Sequence, residues 1–206
     1  GILPALQKTP LGEAGGTAFT LVRPESLDAT ALDPDLSALA EAVYAALLEE
    51  GRFAFYDATA DYGYLGMLDA ADLVSGDSLT NDWIASAKLT VVNFWGTFCN
   101  PCISELPTLE QLSQTYADRG VRFLGVVTDG YDEQTLSLGK EILASTGVSY
   151  PNIGPYVSSA ALAGVQFTPT TVFLDGAGHL VGEAVVGGMA LEDWEKAIEE
   201  RLAMAS

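Results

Sequence analysis

The apolar positions of the chain alternate between a strand-like and a helix-like pattern from residue 89 onward. Residues 89–94 and 121–128 are runs rich in β-branched apolar side chains, which predict strands buried on both faces of a sheet. Behind each run, apolar residues recur every three or four positions, which predicts helices. The remaining predicted elements are a helix over 132–146, a loop over 150–155, a short helix over 158–162, strands over 170–174 and 180–186 joined by a turn, and a helix from Leu191 onward.

This order of elements predicts an α/β fold with a central, mostly parallel sheet. A strand, a helix and a second buried strand form a parallel crossover unit. The glycine-containing turn over 175–178 brings the following strand back as a hairpin. We therefore expect a sheet that is parallel apart from its last strand, with an antiparallel edge hairpin and helices on both faces.

Residues 1–52 carry a different pattern and are interpreted as an N-terminal extension. The dipeptide Asp33-Pro34 suits a helix cap and a first helical position, and it predicts a helix over 34–50. We expect a domain over 53–206 with its core in 89–206, and we expect the extra helix to pack on that core. Three further short elements are predicted, namely strands over 18–22 and 52–56 and a helix over 80–86 capped by Thr80 or Asn81.

Composition and charge narrow the range of partners. The 206 residues are 49% hydrophobic and 18% charged, which is typical of a globular chain. A net charge of −19 argues against nucleic acid and anionic lipid as partners, because phosphate binding needs clustered Lys and Arg. The longest uncharged stretch, 142–174, contains Pro, Gly and Asn and does not fit a membrane helix. Because the chain begins at Gly1, we expect a processed chain whose precursor can carry a signal peptide or membrane anchor.

The only two cysteines, Cys99 and Cys102, stand between the first buried strand and the helix that follows it. A helix N-terminus stabilises a thiolate through its free N–H groups and its dipole. We therefore expect Cys99 at the helix start as an exposed, activated thiol, with Cys102 one turn further on and more buried. Helical side chains three residues apart meet, which suits attack by Cys99 on a disulfide and resolution by Cys102.

Three other interpretations of the pair are less favourable. A structural zinc site takes about four ligands, and the two cysteines plus the lone His179 do not supply them. A purely structural disulfide would close so short a loop that it adds little stability. Two inert core cysteines are the third possibility. The position of the pair between a strand and a helix favours redox chemistry over all three.

Residues 94–107, FWGTFCNPCISELP, resemble the FWxTWCxPCxxExP pattern of the TlpA/ResA-like thiol–disulfide oxidoreductases of the thioredoxin superfamily. The resemblance covers residues 89–206 and implies a thioredoxin-like fold. It implies Cys99 as the attacking thiol and Cys102 as the resolving thiol. It also implies that Pro107 kinks the helix.

The segment Phe167-Thr168-Pro169-Thr170 resembles the one that carries a cis-proline facing the disulfide in thioredoxin-like proteins. The resemblance implies a cis Thr168–Pro169 bond and a substrate chain that pairs with the backbone of Thr168. Phe98 replaces the Trp that usually precedes the first Cys of the pair, and we expect its ring to shield the thiol. Phe98, Thr168 and Pro169 are therefore the predicted substrate-binding residues.

The acidic positions near the cysteines differ from those of thioredoxin. Asn93 stands where cytoplasmic thioredoxins keep a buried Asp, so that proton-transfer group is missing. Glu105 matches an acid near the active site of the TlpA/ResA-like group, and we expect it to accept the proton of Cys102. A solvated helix carboxylate is the alternative for Glu105. The other candidates are interpreted as a solvated turn residue (His179), core or active-site wall (Trp95), and a loop and helix cap rather than a metal site (Asp129, Asp132 and Glu133).

The sequence thus predicts a bacterial-type thiol–disulfide oxidoreductase that works outside the cytoplasm through Cys99 and Cys102, without a cofactor or a metal. No further cysteine is open to oxidation, which suits an oxidising compartment. We favour a reductase of protein disulfides that is supplied by a redox donor protein, and we expect a monomer. The alternatives are a thiol oxidase of the same fold and a thioredoxin-like binding or adaptor module.

Overall fold

The computed structural model describes residues 8–10, 17–19 and 61–205. The chain divides into two units, Gly1–Ala60 and Asp61–Ser206, and each is described by itself. The second unit contains every site residue that the sequence predicts, so it is the unit that bears on function.

In the first unit, β1 (Lys8–Pro10) pairs antiparallel with β2 (Thr17–Phe19). β2 overlaps the predicted strand over 18–22 at its first two residues. The predicted helix over 34–50 and the predicted strand over 52–56 lie outside the described residues. The packing of that helix on the core therefore stays a prediction.

Short strands and helices alternate along the second unit. It opens with β3 (Asp69–Ala71), β4 (Ser78–Thr80), α1 (Asn81–Ala85), β5 (Leu89–Trp95), α2 (Asn100–Tyr116) and a 3-10 turn (Ala117–Arg119). It continues with β6 (Val121–Val127), α3 (Glu133–Thr146), β7 (Asn152–Ile153), α4 (Ser159–Gly164), β8 (Thr170–Leu174), β9 (Val185–Val186) and α5 (Leu191–Met204). None of the helices in the described residues has both the length and the apolar character needed to cross a bilayer.

β5 is the centre of a five-stranded sheet with the order β7-β6-β5-β8-β9. It pairs parallel with β6 along its whole length, with Leu89 opposite Val121 and Trp95 opposite Val127. β6 pairs parallel with β7, whereas β8 runs antiparallel to β5 and β9 antiparallel to β8. The mostly parallel sheet with an antiparallel edge hairpin is confirmed. The strand that opposes the others is β8, however, and not the last one.

Both faces of the sheet are covered, and the central strand shows how. All seven residues of β5 are buried. Leu89, Val91 and Trp95 belong to a core shared with α2, α3 and α5, whereas Val92 and Phe94 belong to a second core with β3, β4, α1 and α4. This division follows from the two-residue period of a strand. The predicted helices on both faces of the sheet are therefore confirmed.

α2 begins directly behind β5 and carries the predicted apolar stripe. Leu106, Leu109, Leu112 and Tyr116 are all buried. The helix continues through Pro107. The end of β5 and the start of α2 therefore fix the place of the cysteines at the C-terminal edge of the sheet.

The helix caps agree with the sequence at α3 but not at α1. Asp132 caps α3 by accepting a backbone N–H of the first turn, and Gly147 ends that helix in a left-handed conformation. At α1 the N-cap residue is Thr80, but its side chain makes no capping hydrogen bond. Asn81 instead accepts the backbone N–H of Leu68 at 2.8 Å. The predicted side-chain cap is wrong because this amide serves a tertiary contact.

The predicted loop over 150–155 is wrong, because Asn152–Ile153 forms the edge strand β7. A two-residue stretch that begins with a polar residue has no apolar pattern from which a strand could be predicted. The side chain of Asn152 is nevertheless buried, and its Oδ1 accepts the indole N–H of Trp95 at 3.0 Å. β7 thus adds a polar contact to the side of the site.

The predicted return strand over 180–186 is wrong in its extent. It is reduced to a single bridge at Leu180 and the two residues of β9. Gly182 lies between them with φ of 71°, which interrupts extended backbone. The β3–β4 hairpin was not predicted as strands, since each is only three residues long.

Candidate functional site

Cys99 and Cys102 form a disulfide at the junction of β5 and α2, with an S–S distance of 2.06 Å and a Cα–Cα distance of 5.3 Å. Cys99 is the N-cap residue of α2. Its Sγ atom accepts the backbone N–H of Cys102 at 3.3 Å. A free N–H of the first turn thus points at the sulfur of Cys99, which is the arrangement that stabilises a thiolate there once the disulfide is reduced.

The two cysteines differ in exposure as predicted, but neither is open to solvent. Cys99 is 6% exposed and Cys102 is 1% exposed. The prediction of an exposed Cys99 is therefore wrong in degree. The carbonyl oxygen of Thr168 lies 3.5 Å from the Sγ atom of Cys99 and covers one side of it. The remaining exposure of the pair lies mostly on Cys99.

The segment before β8 forms the opposite wall of the site. The Thr168–Pro169 peptide bond is cis. The carbonyl of Phe167 accepts the hydroxyl of Thr170 at 2.6 Å, and the carbonyl of Pro169 accepts the N–H of Gly187 at 2.8 Å. These bonds hold the segment against the disulfide. The structure thus brings together Cys99 and Thr168, which are 69 residues apart in sequence.

The loop that leads to Cys99 is fixed by an aspartate. Asp129, just after β6, accepts the backbone N–H of Thr97 at 3.0 and 3.2 Å and also the Thr97 hydroxyl. The prediction of a merely solvated loop residue is therefore wrong for Asp129. Its carboxylate fixes Thr97, two residues before Cys99, and the sequence alone does not indicate this contact.

Glu105 lies one turn after Cys102 on α2 and is only 7% exposed. Its Oε1 atom accepts the indole N–H of Trp194 at 2.8 Å and the backbone N–H of Met189 at 2.9 Å. Its Oε2 atom is buried and has no hydrogen-bond partner among the described residues. Burial raises the pKa of Glu105 above its ordinary value, and this outweighs the two donors, which lower it. The alternative of a solvated helix carboxylate is therefore excluded.

The side chains of Asn93 and Trp95 on β5 make buried hydrogen bonds that join neighbouring strands. The buried amide of Asn93 donates to the hydroxyl of Thr171 at 2.9 Å, across the β5–β8 pair. Trp95 is fully buried and donates to Asn152. The prediction of Trp95 as part of the core is confirmed. Since Asn93 has no acidic group, Glu105 is the first buried carboxyl that follows the pair on α2, and Glu110 is the second.

Two phenylalanines beside the disulfide are exposed. Phe98 is 72% exposed and Phe167 is 70% exposed. The ring of Phe98 lies over Gly96, where a Cβ atom would come within 2.8 Å of it. Each ring directly precedes a residue of the site, so two exposed apolar side chains adjoin the site in sequence. Phe167 was not among the predicted substrate-binding residues, although its place before Thr168 is a usable signal.

The other polar candidates lie apart from the pair. His179 follows the turn behind β8, and its Nε2 atom lies 2.8 Å from Oδ2 of Asp61, with both side chains more than half exposed. The hydrogen bond that His179 donates to the Asp61 carboxylate raises the pKa of His179. The prediction of a solvated turn residue is confirmed. The described residues contain no cluster of His, Cys, Asp and Glu that could hold a metal ion.

The sequence is similar to a protein family and to characterised relatives. Residues 72–189 match the family model described as Redoxin. The chain is 32% identical over 116 residues to the thiol-disulfide oxidoreductase ResA of Halalkalibacterium halodurans, which covers 55% of this chain and 60% of that protein. It is 33% identical over 113 residues to ResA of Geobacillus kaustophilus, which covers 54% and 62%. The chain thus spans about three fifths of the length of these curated relatives.

The fold is also similar to that of solved structures. A thiol:disulfide interchange protein of the thioredoxin family from Chlorobium tepidum superposes with a TM-score of 0.54 at 22% identity, over 68% of this chain and 98% of that one. At this identity the likeness shows the fold alone, and it confirms the predicted thioredoxin-like fold. The family match covers more than half of the sequence. The chain therefore belongs to the Redoxin family of the thioredoxin superfamily, with ResA among its relatives.

Proposed function

We propose that this protein is a thiol–disulfide oxidoreductase that exchanges electrons with protein disulfides through Cys99 and Cys102. The observation that carries the proposal is the disulfide at the N-terminus of α2, with Cys99 the more exposed cysteine and Thr168 3.5 Å from its sulfur. The ResA relatives are thiol-disulfide oxidoreductases, which supports the same reaction type.

In the reducing direction, the reaction begins with both thiols free. The Cys99 thiolate attacks one sulfur of the substrate disulfide, and the second substrate sulfur leaves as a thiolate. Cys102 gives up its proton and attacks the Sγ atom of Cys99, which breaks the mixed disulfide and releases the first substrate sulfur. Two electrons have then passed to the substrate, and the Cys99–Cys102 disulfide remains. A dithiol of a donor protein restores the free thiols by the same exchange, so no cofactor is required.

Glu105 is the proposed acceptor of the Cys102 proton. It lies one turn behind Cys102 on the same helix, and its unpartnered Oε2 atom is free to take a proton. Burial raises the pKa of this carboxyl, which brings it closer to that of a thiol and makes proton transfer between them easier.

The proposed substrate is an extended segment of a protein that carries a disulfide. Such a segment would pair with the backbone of Thr168 beside Pro169, and the exposed ring of Phe98 would contact its apolar side chains. The exposed ring of Phe167, next to Thr168 in the chain, would offer a second apolar contact.

We place this reaction outside the cytoplasm of a bacterium and expect the protein to act as a monomer. Two cysteines paired with each other leave no thiol open to unwanted oxidation, which suits an oxidising compartment. We favour the reducing direction. A redox titration of Cys99–Cys102 against glutathione measures the reduction potential of the pair and tests this direction. Reducing dithiol centres have potentials of about −270 mV, and strongly oxidising ones have potentials of about −120 mV.

Single cysteine variants test the reaction itself. Cys99→Ser should abolish reduction of a protein disulfide with dithiothreitol as the donor, whereas Cys102→Ser should accumulate a mixed disulfide with the substrate. Ser104→Ala, at an exposed position on the same turn of α2, is the matched control and should keep full activity. Full activity of Cys99→Ser would overturn the proposal. Tight partner binding without any turnover of the unaltered protein would instead favour the adaptor role.

A further inference from the structure

The two oxygens of the Glu105 carboxyl have different surroundings. Oε1 accepts two N–H groups, from the Trp194 indole at 2.8 Å and from the Met189 backbone at 2.9 Å. Oε2 is buried and accepts none from the described residues. A proton on the carboxyl therefore has one available place, because the lone pairs of Oε1 are already engaged by donors.

The donor side chain is itself held firmly. Trp194 is fully buried in the first turn of α5. Its ring packs on Phe173 of β8, with the ring centroids 6.4 Å apart. Two χ angles fixed by packing leave the indole N–H a single direction, towards Glu105.

The backbone before α5 completes the contact. A Cβ atom at Gly188 would come 3.2 Å from Oε1 of Glu105, so the absence of a side chain lets this segment approach the carboxyl. The next residue, Met189, supplies the second N–H. The C-terminal helix and the segment that leads into it thus form one binding surface for a single oxygen of α2.

We propose that Trp194 is a positioning residue for the exchange reaction, because its indole N–H holds Oε1 of Glu105 and leaves Oε2 as the atom that takes up and releases the Cys102 proton. This inference rests on the proposed role of Glu105 as proton acceptor. Trp194 acts through Glu105, to which its N–H is bonded. It acts by fixing which oxygen titrates and by stabilising the charged form of the carboxyl.

Few other titratable groups act on this carboxyl. The buried phenol of Tyr150, in the same core, is raised in pKa first by burial and then by the charges of Glu110 and Glu105. Glu110 is engaged by Ser149 and Gln114. Cys102 titrates only after reduction of the disulfide.

The test is the pKa of Glu105 in the oxidised protein, followed by the carbonyl stretch or by the 13C shift of its labelled carboxyl. Trp194→Phe removes the N–H and should raise this pKa by about 1 to 2 pH units, since a hydrogen bond to a charged group stabilises it by that order. Trp95→Phe is the matched control, because it removes an indole N–H that is bonded to Asn152 and not to Glu105, and it should leave the pKa in place.

A second variant covers the case in which Trp194→Phe does not fold. Benzothienylalanine at position 194 keeps a bicyclic ring and replaces the N–H by sulfur, and it should produce the same rise. An unchanged pKa in either folded variant would overturn the inference.

The pH dependence of mixed-disulfide resolution links the carboxyl to the reaction. The limb that reports Glu105 should move upward by the same amount in the Trp194 variants and disappear in Glu105→Gln. If Glu105→Gln keeps the limb, the proposed role of Glu105 fails. If that limb is lost in Glu105→Gln but stays in place in the Trp194 variants, only the positioning role fails.

Discussion

Glu105 is a carboxyl group that the fold keeps away from water without giving it a charged partner among the described residues. Two N–H donors reduce the cost of its charge, but burial is the larger effect and raises its pKa. The folded protein therefore binds a proton at this position more tightly than the unfolded chain does. Such a group makes folding stability depend on pH.

Glu105→Gln should change this dependence. The protonated carboxyl favours the folded state fully below its ordinary pKa of 4.5, and this contribution is lost as the pH rises through the raised folded value. The unaltered protein should therefore lose stability relative to Glu105→Gln over that window. Urea unfolding of both oxidised proteins between pH 4 and 8 measures the difference, and parallel pH curves would contradict the prediction.

The residues with distinctive chemistry could be identified from the sequence, and their partners could not. Cys99, Cys102 and Glu105 stand in a short motif whose spacing carries the information. Trp194, by contrast, is 89 residues from Glu105 and looks like one apolar position of an amphipathic helix. Its N–H matters only because the fold brings α5 against α2.

At the scale of elements, the loop between β5 and α2 depends on a neighbouring strand end. Asp129 follows β6 and binds Thr97, and the parallel pairing of β5 with β6 places the two at the same edge of the sheet. The disulfide is thus presented by a loop that is fixed at both ends.

Asp129→Ala should lower both stability and the exchange rate. Loss of hydrogen bonds to a charged acceptor should cost about 2 kcal/mol, and a freer loop should slow attack at Cys99 several-fold. Asp132→Ala is the control, since it removes only the cap of α3, at about 1 kcal/mol. Denaturant unfolding and stopped-flow exchange measure the two effects, and equal rates in both variants would contradict the prediction.

Alanine substitutions at Gly125 and Gly139 test how tightly the surroundings of each glycine are packed. A Cβ atom at Gly125 of β6 would come 1.7 Å from Oδ1 of Asn152, the atom that accepts the Trp95 indole N–H. Gly125→Ala should therefore destabilise the protein by about 3 kcal/mol. At Gly139 of α3 a Cβ atom meets its neighbours at 3.8 Å, so Gly139→Ala should stabilise by about 1 kcal/mol. Thermal unfolding of both variants measures these two changes in stability.

Long periodic elements could be predicted from the sequence, and short ones could not. β5, α2, β6, α3, β8 and α5 each carry enough apolar positions to define a period. β7 is two residues long and begins with Asn152, and β9 is interrupted by Gly182, so neither shows a pattern. The sequence predicts the reversal at the last strand and not at β8, because local periodicity does not show in which direction a strand runs in the sheet.

At the scale of the whole molecule, the chain combines exposed apolar side chains next to the site with a strongly acidic composition. The rings of Phe98 and Phe167 are exposed, and the net charge is −19. Charge of one sign attracts oppositely charged partners over a Debye length and raises their association rate. The apolar contacts near Phe98 act only after the encounter.

Reduction of basic disulfide peptides should accordingly be faster than reduction of acidic ones of equal length. We expect about a tenfold ratio near 10 mM salt. The ratio should approach one at about 0.5 M salt, where the field is screened within a few ångströms. Second-order rates across this series measure the effect. A ratio that does not change with salt would show that the net charge has no part in the encounter.

The contact between Trp194 and Glu105 also makes the site accessible to fluorescence measurements. An indole whose N–H faces a carboxyl group changes its emission when that group gains or loses a proton, and Trp194 shares its core with the Cys99–Cys102 disulfide. Of the three tryptophans, Trp83 and Trp95 can be replaced by Phe to isolate its signal. The fluorescence of Trp194 should therefore report both the protonation of Glu105 and the reduction of the disulfide.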